Sequence, residues 1–339
     1  MEQPTTMIDF THRQAGHCES GTTSNLFRYY GMDISEPMAF GIGNGLYFSY
    51  IPFLKVQYAP MISFRNIPNT IFRRAAKRLG ADAVVIKKFK NPQESLDALN
   101  RNMEKGIPTG LQVGVFNLPF FPPEYRMHYN MHNLVIYGKE GDTFYVSDTV
   151  LELPQTISTA DLQRVRWVKG AFAPHGKMYW INKVDKNVDI KKAVSEGIAK
   201  TVYELTGMPF PLIGTRGIRF MAKDLKKWPK KHGQEKASFY LGQVLRMSEE
   251  VGSGGAGFRF IYGAFLKEAG EKFNNQELLD AAEMMGNVAM KWREFSYIGA
   301  RNCKSRSEPT EDYGMLGDML IDISYKEEEV YKKLAKIKI

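Results

Sequence analysis

The chain has 339 residues, of which 43% are hydrophobic and 24% charged, so it can bury a sizeable core and is expected to form two domains. Its two cysteines, Cys18 and Cys303, cannot build a disulfide framework or a CxxC zinc site, which favours a reducing setting. A formal net charge of +9 favours acidic partners, because a positive field speeds their encounter.

The N-terminal stretch and the lysine-rich runs indicate the expected cellular compartment and binding partners. The opening stretch MEQPTTMIDFTHRQ is polar and acidic where a signal peptide would be basic and then apolar, and no window approaches the length of an apolar membrane span. The lysine-rich runs KDLKKWPKKHGQEK and KEEEVYKKLAKIKI carry no nucleic-acid motif and are typical of solvated helix faces or loops. We expect a cytoplasmic protein that binds neither nucleic acid nor a membrane.

The first half of the chain mixes helices with strands. Helices are predicted where amphipathic runs end at glycine, in SNLFRYYGMD, TIFRRAAKRLG and PQESLDALNRNMEKG. Strands are predicted in segments rich in β-branched and aromatic residues, namely ADAVVIKKF, PTGLQVGVF, HNLVIYG and TFYVSDTV.

The second half has long helical periodicity and almost no strand pattern. Its predicted helices are IKKAVSEGIAKTVYEL, FYLGQVLRMSEEV, FRFIYGAFLKEAGEKF, QELLDAAEMMGNVAMKWREFSYIGAR and YGMLGDMLIDISYKEEEVYKKLAKI. The change of pattern predicts an α/β domain over residues 1–184 and a helical domain over residues 185–339. Helix faces rich in methionine and alanine could pack on a second copy as readily as within one chain, so a homodimer is also considered.

Cys18 directly precedes the first predicted helix. A helix N-terminus and a neighbouring imidazolium lower a thiol pKa from about 8.5 toward about 3.5 to 7.5, so this position suits a nucleophile. The alternative is a buried cysteine that only fills space.

A predicted hairpin supplies partners for the thiol. If its loop is the three residues 139–141, His132 lies opposite Asp148 on the neighbouring strand. Facing side chains are about 5 Å apart at Cβ, so Asp148 would orient the imidazole while the other ring nitrogen faces Cys18. With an even number of residues in the loop, this register would not form and His132 would not lie opposite Asp148.

The order of cysteine at a helix start, histidine opening a late strand and aspartate one strand further resembles papain-like cysteine enzymes, especially the bacteriocin-processing peptidases of ABC transporters. That resemblance implies a helix packed on an antiparallel sheet and an upstream side chain that helps to form an oxyanion hole. Gln14 and His12 are both candidates for that side chain, and the sequence does not choose between them.

A closer resemblance is carried by GHCESGTTSNLFRYYGMDISEPMAFGIGNGLYFSY, residues 16–50, and by GSGGAGFRFIYGAFLKEA in the second half. The first stretch is similar to the opening of the butirosin biosynthesis protein H family, and the second to the helical domain of unknown function that commonly follows it. The resemblance implies a cysteine-dependent acyltransferase that accepts an acyl group from an acyl carrier protein, or a similar thioester, and passes it to a small amine.

In this interpretation Cys18 is the acyl acceptor, His132 the general base and Asp148 the orienting carboxylate. Two alternatives stay open: a peptidase or amidase using water, and a non-catalytic binding protein that retains the fold.

Further residues are candidates for substrate binding. Glu36 could bind the amine, Gly43 in the glycine-rich run could let backbone N–H groups approach a ligand, and Arg259 could meet a carboxylate or a phosphate. Turn, packing and ion-pair roles explain the same residues equally simply. No metal site is expected, because His128 and His132 flank a strand without a matching glutamate motif, and no cofactor is implied.

Overall fold

The computed structural model describes residues 6–304 and 312–339. Its strands are β1 (Thr6–Met7), β2 (Leu46–Val56), β3 (Ala59–Arg65), β4 (Asp82–Ile86), β5 (Thr109–Val113), β6 (His132–Glu140), β7 (Thr143–Ser147), β8 (Gln155–Ser158) and β9 (Met178–Lys183). Its helices are α1 (Cys18–Tyr29), α2 (Glu36–Ile42), α3 (Thr70–Arg78), α4 (Pro92–Glu104), α5 (Thr159–Arg166), α6 (Ile190–Val202), α7 (Gly214–Leu225), α8 (Trp228–His232), α9 (Gln234–Glu249), α10 (Arg259–Phe273), α11 (Gln276–Lys304) and α12 (Asp312–Leu334).

The chain divides into two compact units, each built from two stretches of sequence. Unit 1 runs over Met1–Ala39 and Pro68–Asp189, and unit 2 over Phe40–Ile67 and Ile190–Ile339. The predicted domain boundary at residue 184 lies close to the last of the three crossings between the units, after Asp189. The structure differs from the predicted division in the stretch Phe40–Ile67, which belongs with the helices rather than with the first domain.

Unit 1 packs helices against an antiparallel sheet. The strand order is β4-β9-β5-β6-β7-β8, and β1 pairs with the end of β6 beyond the reach of β5. Helix α1 packs against β6, β9 and α3, so its first residue lies beside the sheet. The predicted fold class, a helix on an antiparallel sheet followed by a helical region, is confirmed.

Unit 2 contains the hairpin of β2 and β3 together with α6 to α12. The hairpin contributes Phe48 and Phe64, whose rings contact Trp292 of α11, the latter edge-on at 5.4 Å. The backbone N–H of Tyr50 also donates to the carbonyl of Leu212 at 2.9 Å. These contacts explain why a stretch that is distant in sequence joins the helices. In the part of the chain described, none of the helices has the length and apolar character needed to cross a bilayer.

Arg259 lies in the core of unit 2, which corrects its predicted role in substrate binding. Its guanidinium is fully buried and donates to both carboxylate oxygens of Glu327, at 2.8 and 3.1 Å. Glu327 also accepts from Trp292 Nε1 at 2.6 Å and from the Tyr331 hydroxyl at 3.0 Å. The guanidinium lies over the rings of Phe64 and Trp292, so no face of it is open to a ligand.

This buried pair generates a stability prediction. Removing Glu327 would leave the buried charge of Arg259 without a partner, so Glu327→Ala should lower the free energy of unfolding by about 3–5 kcal/mol. The matched control is the next residue, Glu328, whose carboxylate makes partly exposed pairs with Arg219 and Lys332. Glu328→Ala should cost less than about 1 kcal/mol. Urea unfolding followed by tryptophan fluorescence measures both losses, and equal losses would contradict this view of the core.

Candidate active site

Cys18 is the first residue of α1, as the sequence predicts. The preceding residue, His17, caps the helix: its Nδ1 accepts from the backbone N–H of Ser20 at 3.3 Å. The thiol therefore lies at the positive end of a 12-residue helix, where the helix dipole favours a negatively charged sulfur. Cys18 is only 4% exposed and has no disulfide partner.

Glu36 holds the turn that leads into Cys18. One carboxylate oxygen accepts from the backbone N–H of Gly16 at 2.8 Å, and the other from the N–H of His17 at 2.7 Å and the Ser20 hydroxyl at 3.2 Å. Burial raises the pKa of Glu36, and these three hydrogen bonds oppose that rise by stabilising the carboxylate. Both oxygens are engaged within the chain, so the predicted role in binding an amine is replaced by a role in shaping the turn.

The turn of the β6–β7 hairpin corrects the predicted register. Glu140 pairs with Thr143, so the turn is the two residues Gly141 and Asp142 rather than residues 139–141. Gly141 has a φ of +55° at the first turn position, where type II′ turns carry glycine. A two-residue turn continued by regular pairing would place His132 and Asp148 on opposite faces of the sheet.

A bulge in β6 restores the shared face. The pairing shifts between Ile136 and Gly138, which makes Tyr137 an extra residue in the strand. Beyond the bulge, His132 and Asp148 lie on the same face in diagonal positions rather than directly opposite. The predicted pairing was wrong in register, but the two side chains meet.

His132 and Asp148 form a buried, charged hydrogen bond. His132 Nε2 lies 2.7 Å from Asp148 Oδ2, and because a carboxylate only accepts, the hydrogen is on Nε2. His132 is 5% exposed and Asp148 is fully buried. Burial alone would lower the pKa of His132, but the negative charge of Asp148, their hydrogen bond and the neighbouring Cys18 raise it to about 10.

The imidazole also hydrogen-bonds the side chain of Cys18. With Nε2 given to Asp148, the nitrogen left for the thiol is Nδ1. The rings of His132 and Phe121 form an edge-to-face pair at a centroid distance of 5.5 Å, which helps to fix the imidazole plane. A thiol, an imidazole and a carboxylate linked in this order can hold a thiolate beside an imidazolium and move a proton between the sulfur and a substrate.

Sequence reasoning missed Asn133, the residue after His132. It is fully buried, and its Nδ2 lies 3.7 Å from Cys18 Sγ. An asparagine inside a β-rich run carries no motif, so the available signal was a polar residue directly before the apolar run of residues 134–137.

The two oxyanion candidates have different surroundings. His12 Nε2 donates to the carbonyl of Leu151 at 3.1 Å and its Nδ1 lies 2.7 Å from the Ser147 hydroxyl, so both ring nitrogens are occupied away from the thiol and His12 is corrected to a structural residue. Gln14 is exposed in the stretch before α1, and its role stays a prediction.

Gly43, the remaining substrate-binding candidate, is buried in unit 2 in the turn between α2 and β2, and its binding role stays a prediction. Among residues 6–304 and 312–339, no three His, Cys, Asp or Glu side chains come close enough to share a metal ion.

Two family models match consecutive parts of the chain. The model of the family described as butirosin biosynthesis protein H, N-terminal, matches residues 17–149, and the model of the domain of unknown function DUF4872 matches residues 160–334. A solved structure of a Bacillus anthracis protein described as a C39-like peptidase is similar at 13% identity and a TM-score of 0.38, covering 54% of this chain and 100% of its own. A search of curated proteins finds no match.

The His132–Asp148 pair predicts an unusual titration. The folded pKa of about 10 lies above the unfolded value of about 6.5, so the pair stabilises the fold fully below pH 6.5 and loses that contribution as the pH rises toward 10. NMR of the histidine rings should show one of the six histidines still protonated at pH 8.

The signal is assigned as the one missing from His132→Gln. Asp148→Asn removes the charge while leaving the ring buried, so the midpoint should fall to 6.5 or below. A wild-type midpoint near 6.5 would contradict the pair as described.

Proposed function

We propose that this chain, which belongs to the DUF4872 family and matches the butirosin biosynthesis protein H N-terminal family over residues 17–149, is a cysteine-dependent acyltransferase. Its fold is that of a papain-like cysteine enzyme, a helix beginning at a cysteine and packed on an antiparallel sheet. The proposed reaction moves an acyl group from a thioester to Cys18 and then to an amine.

One observation carries the proposal: the hydrogen-bonded series of Cys18, His132 and Asp148 at the start of α1. Family membership alone would be compatible with a retained fold whose chemistry is lost. A buried imidazole held at the thiol by a buried carboxylate is the arrangement that a thiol nucleophile needs.

In the first proposed step, the Cys18 thiolate attacks the carbonyl carbon of the acyl thioester. A bond forms between Sγ and that carbon, the donor's carbon–sulfur bond breaks, and the donor thiolate leaves with the proton from His132 Nδ1. The backbone N–H at the start of α1 suits the developing oxyanion, because the helix dipole favours negative charge there. One thioester replaces another, so the step is close to balanced in free energy.

In the second step, an amine attacks the carbonyl carbon of acyl-Cys18. His132 takes a proton from the amine nitrogen, the carbon–sulfur bond breaks, and Cys18 returns as a thiolate beside the imidazolium. Formation of an amide from a thioester is favourable and drives the transfer. Asp148 stays ionised throughout and stabilises the imidazolium.

The donor is proposed to be an acyl carrier protein or a similar acyl thioester, and the acceptor a small amine. The net charge of +9 supports an acidic donor, because long-range attraction raises the encounter rate. With water in place of the amine, the same three residues would make the protein a peptidase or amidase, and the products distinguish the two.

The test is intact-mass measurement of the full chain after incubation with a panel of acyl thioesters. Wild type should gain the mass of one acyl group, Cys18→Ala should gain none, and the matched control Cys303→Ala should gain it normally. Adding a panel of amines should then release amide in preference to free acid. His132→Ala should slow acylation by about 10²–10⁴-fold.

Release of free acid alone would replace transfer by hydrolysis. Failure of every thioester to acylate Cys18 would favour a binding protein that keeps the fold.

A further inference from the structure

Asn133 places a second polar group at the Cys18 sulfur, in addition to the imidazole. Its Nδ2 lies 3.7 Å from Sγ, within the range of an N–H···S hydrogen bond. The side chain is fully buried, so water does not compete for this amide. The contact is made by the residue next to His132 on β6, so one strand end supplies two groups to the sulfur.

The orientation of the Asn133 amide is determined by its other partners. Nδ2 also donates to the carbonyl of Met131 at 3.0 Å, and because a carbonyl only accepts, the nitrogen must be on that side. The amide oxygen accepts from the Tyr179 hydroxyl at 2.9 Å. With one hydrogen directed to Met131, the second hydrogen of the amide is directed to the sulfur.

Tyr179 is itself held in a fixed position by packing. Its ring on β9 is fully buried and lies 4.5 Å from the ring of Phe72 in α3. A Cβ added at Gly110 would lie 2.3 Å from the Tyr179 ring, so this close approach requires glycine. The hydroxyl therefore stays where the amide oxygen of Asn133 needs it.

We propose that Asn133 is a catalytic residue that stabilises the Cys18 thiolate by donating a hydrogen bond to its sulfur, and that Tyr179 is the positioning residue that keeps the amide in this orientation. An N–H donor binds a thiolate more strongly than a thiol, so the hydrogen bond favours ionisation. The proposal deepens the function proposed above and rests on Cys18 being the nucleophile.

A purely structural role for Asn133 makes a different prediction. If the amide only joins neighbouring strands, its removal lowers stability and leaves the ionisation of Cys18 unchanged. The thiol pKa is therefore the measurement that separates the two roles.

The experiment measures the pH dependence of iodoacetamide alkylation, by intact mass, on the full chain carrying Cys303→Ser so that one thiol remains. Asn133→Ala should raise the thiol pKa by about one unit, which slows alkylation about tenfold at pH values below it. Tyr179→Phe keeps the ring and removes the hydroxyl, and should raise the pKa by less.

The matched control is Asn130→Ala, because the Asn130 side chain donates to loop carbonyls, those of Lys169 and Ala171. It should leave the thiol pKa unchanged. Thermal melting verifies that each variant is folded, and if Asn133→Ala does not fold, Tyr179→Phe decides alone.

An unchanged thiol pKa in the folded variants overturns the proposal. The measurement needs no acyl donor, so the proposal can stand or fall independently of the acylation assay. Acylation without a pKa shift would reject only the role of Asn133, and a pKa shift without acylation would reject only the acyltransferase.

Discussion

The site depends on the hydrogen bond between His132 and Asp148. A carboxylate with no exposed surface is costly unless a charged partner compensates for the lost water. Asp148 has that partner at 2.7 Å, and its second oxygen faces the N–H of Val150 at 3.3 Å. The same interaction keeps the imidazole protonated and fixes which nitrogen faces the sulfur, so the protonation state of Cys18 is coupled to a carboxylate that does not touch it.

The backbone around this hydrogen bond is irregular where the chemistry requires it. In a regular β6–β7 hairpin with a two-residue turn, His132 and Asp148 would lie on opposite faces of the sheet. The extra residue at Tyr137 brings them to one face, and Glu36 holds the turn that leads into Cys18 at the start of α1. A bulge changes the direction in which the following side chains point, so it can bring together two side chains that regular pairing would place on opposite faces.

The sequence predicted the residues of the site better than their geometry. Cys18 and His132 stand beside local signals, a helix start and a strand start, which depend on neighbours in the chain and can be read from periodicity. The register of the hairpin depended on one turn residue and one bulge, which no pattern of apolar residues reveals. His132 and Asp148 meet, as predicted, because two departures from the expected hairpin offset each other. The turn has two residues instead of three, and β6 contains one extra residue at Tyr137.

Contacts between residues that are far apart in the chain could not be predicted from the sequence. Arg259 and Glu36 carry charges that suit a ligand, and only their partners, Glu327 and the backbone before Cys18, show that the charges are used internally. The placement of the β2–β3 hairpin with the helices depends on ring contacts with Trp292, more than 200 residues away in the chain. Asn133 could not be recognised until the fold brought its amide to the sulfur.

The central claim is that the Cys18 sulfur is a thiolate held beside a protonated His132. The direct measurement is the rate of alkylation of Cys18 from pH 5 to 9 in the otherwise wild-type chain, compared with His132→Ala. The account predicts a rate that stays nearly constant well below pH 8.5 in wild type and falls about tenfold per pH unit in the variant. A wild-type rate that falls in the same way as that of the variant would contradict it.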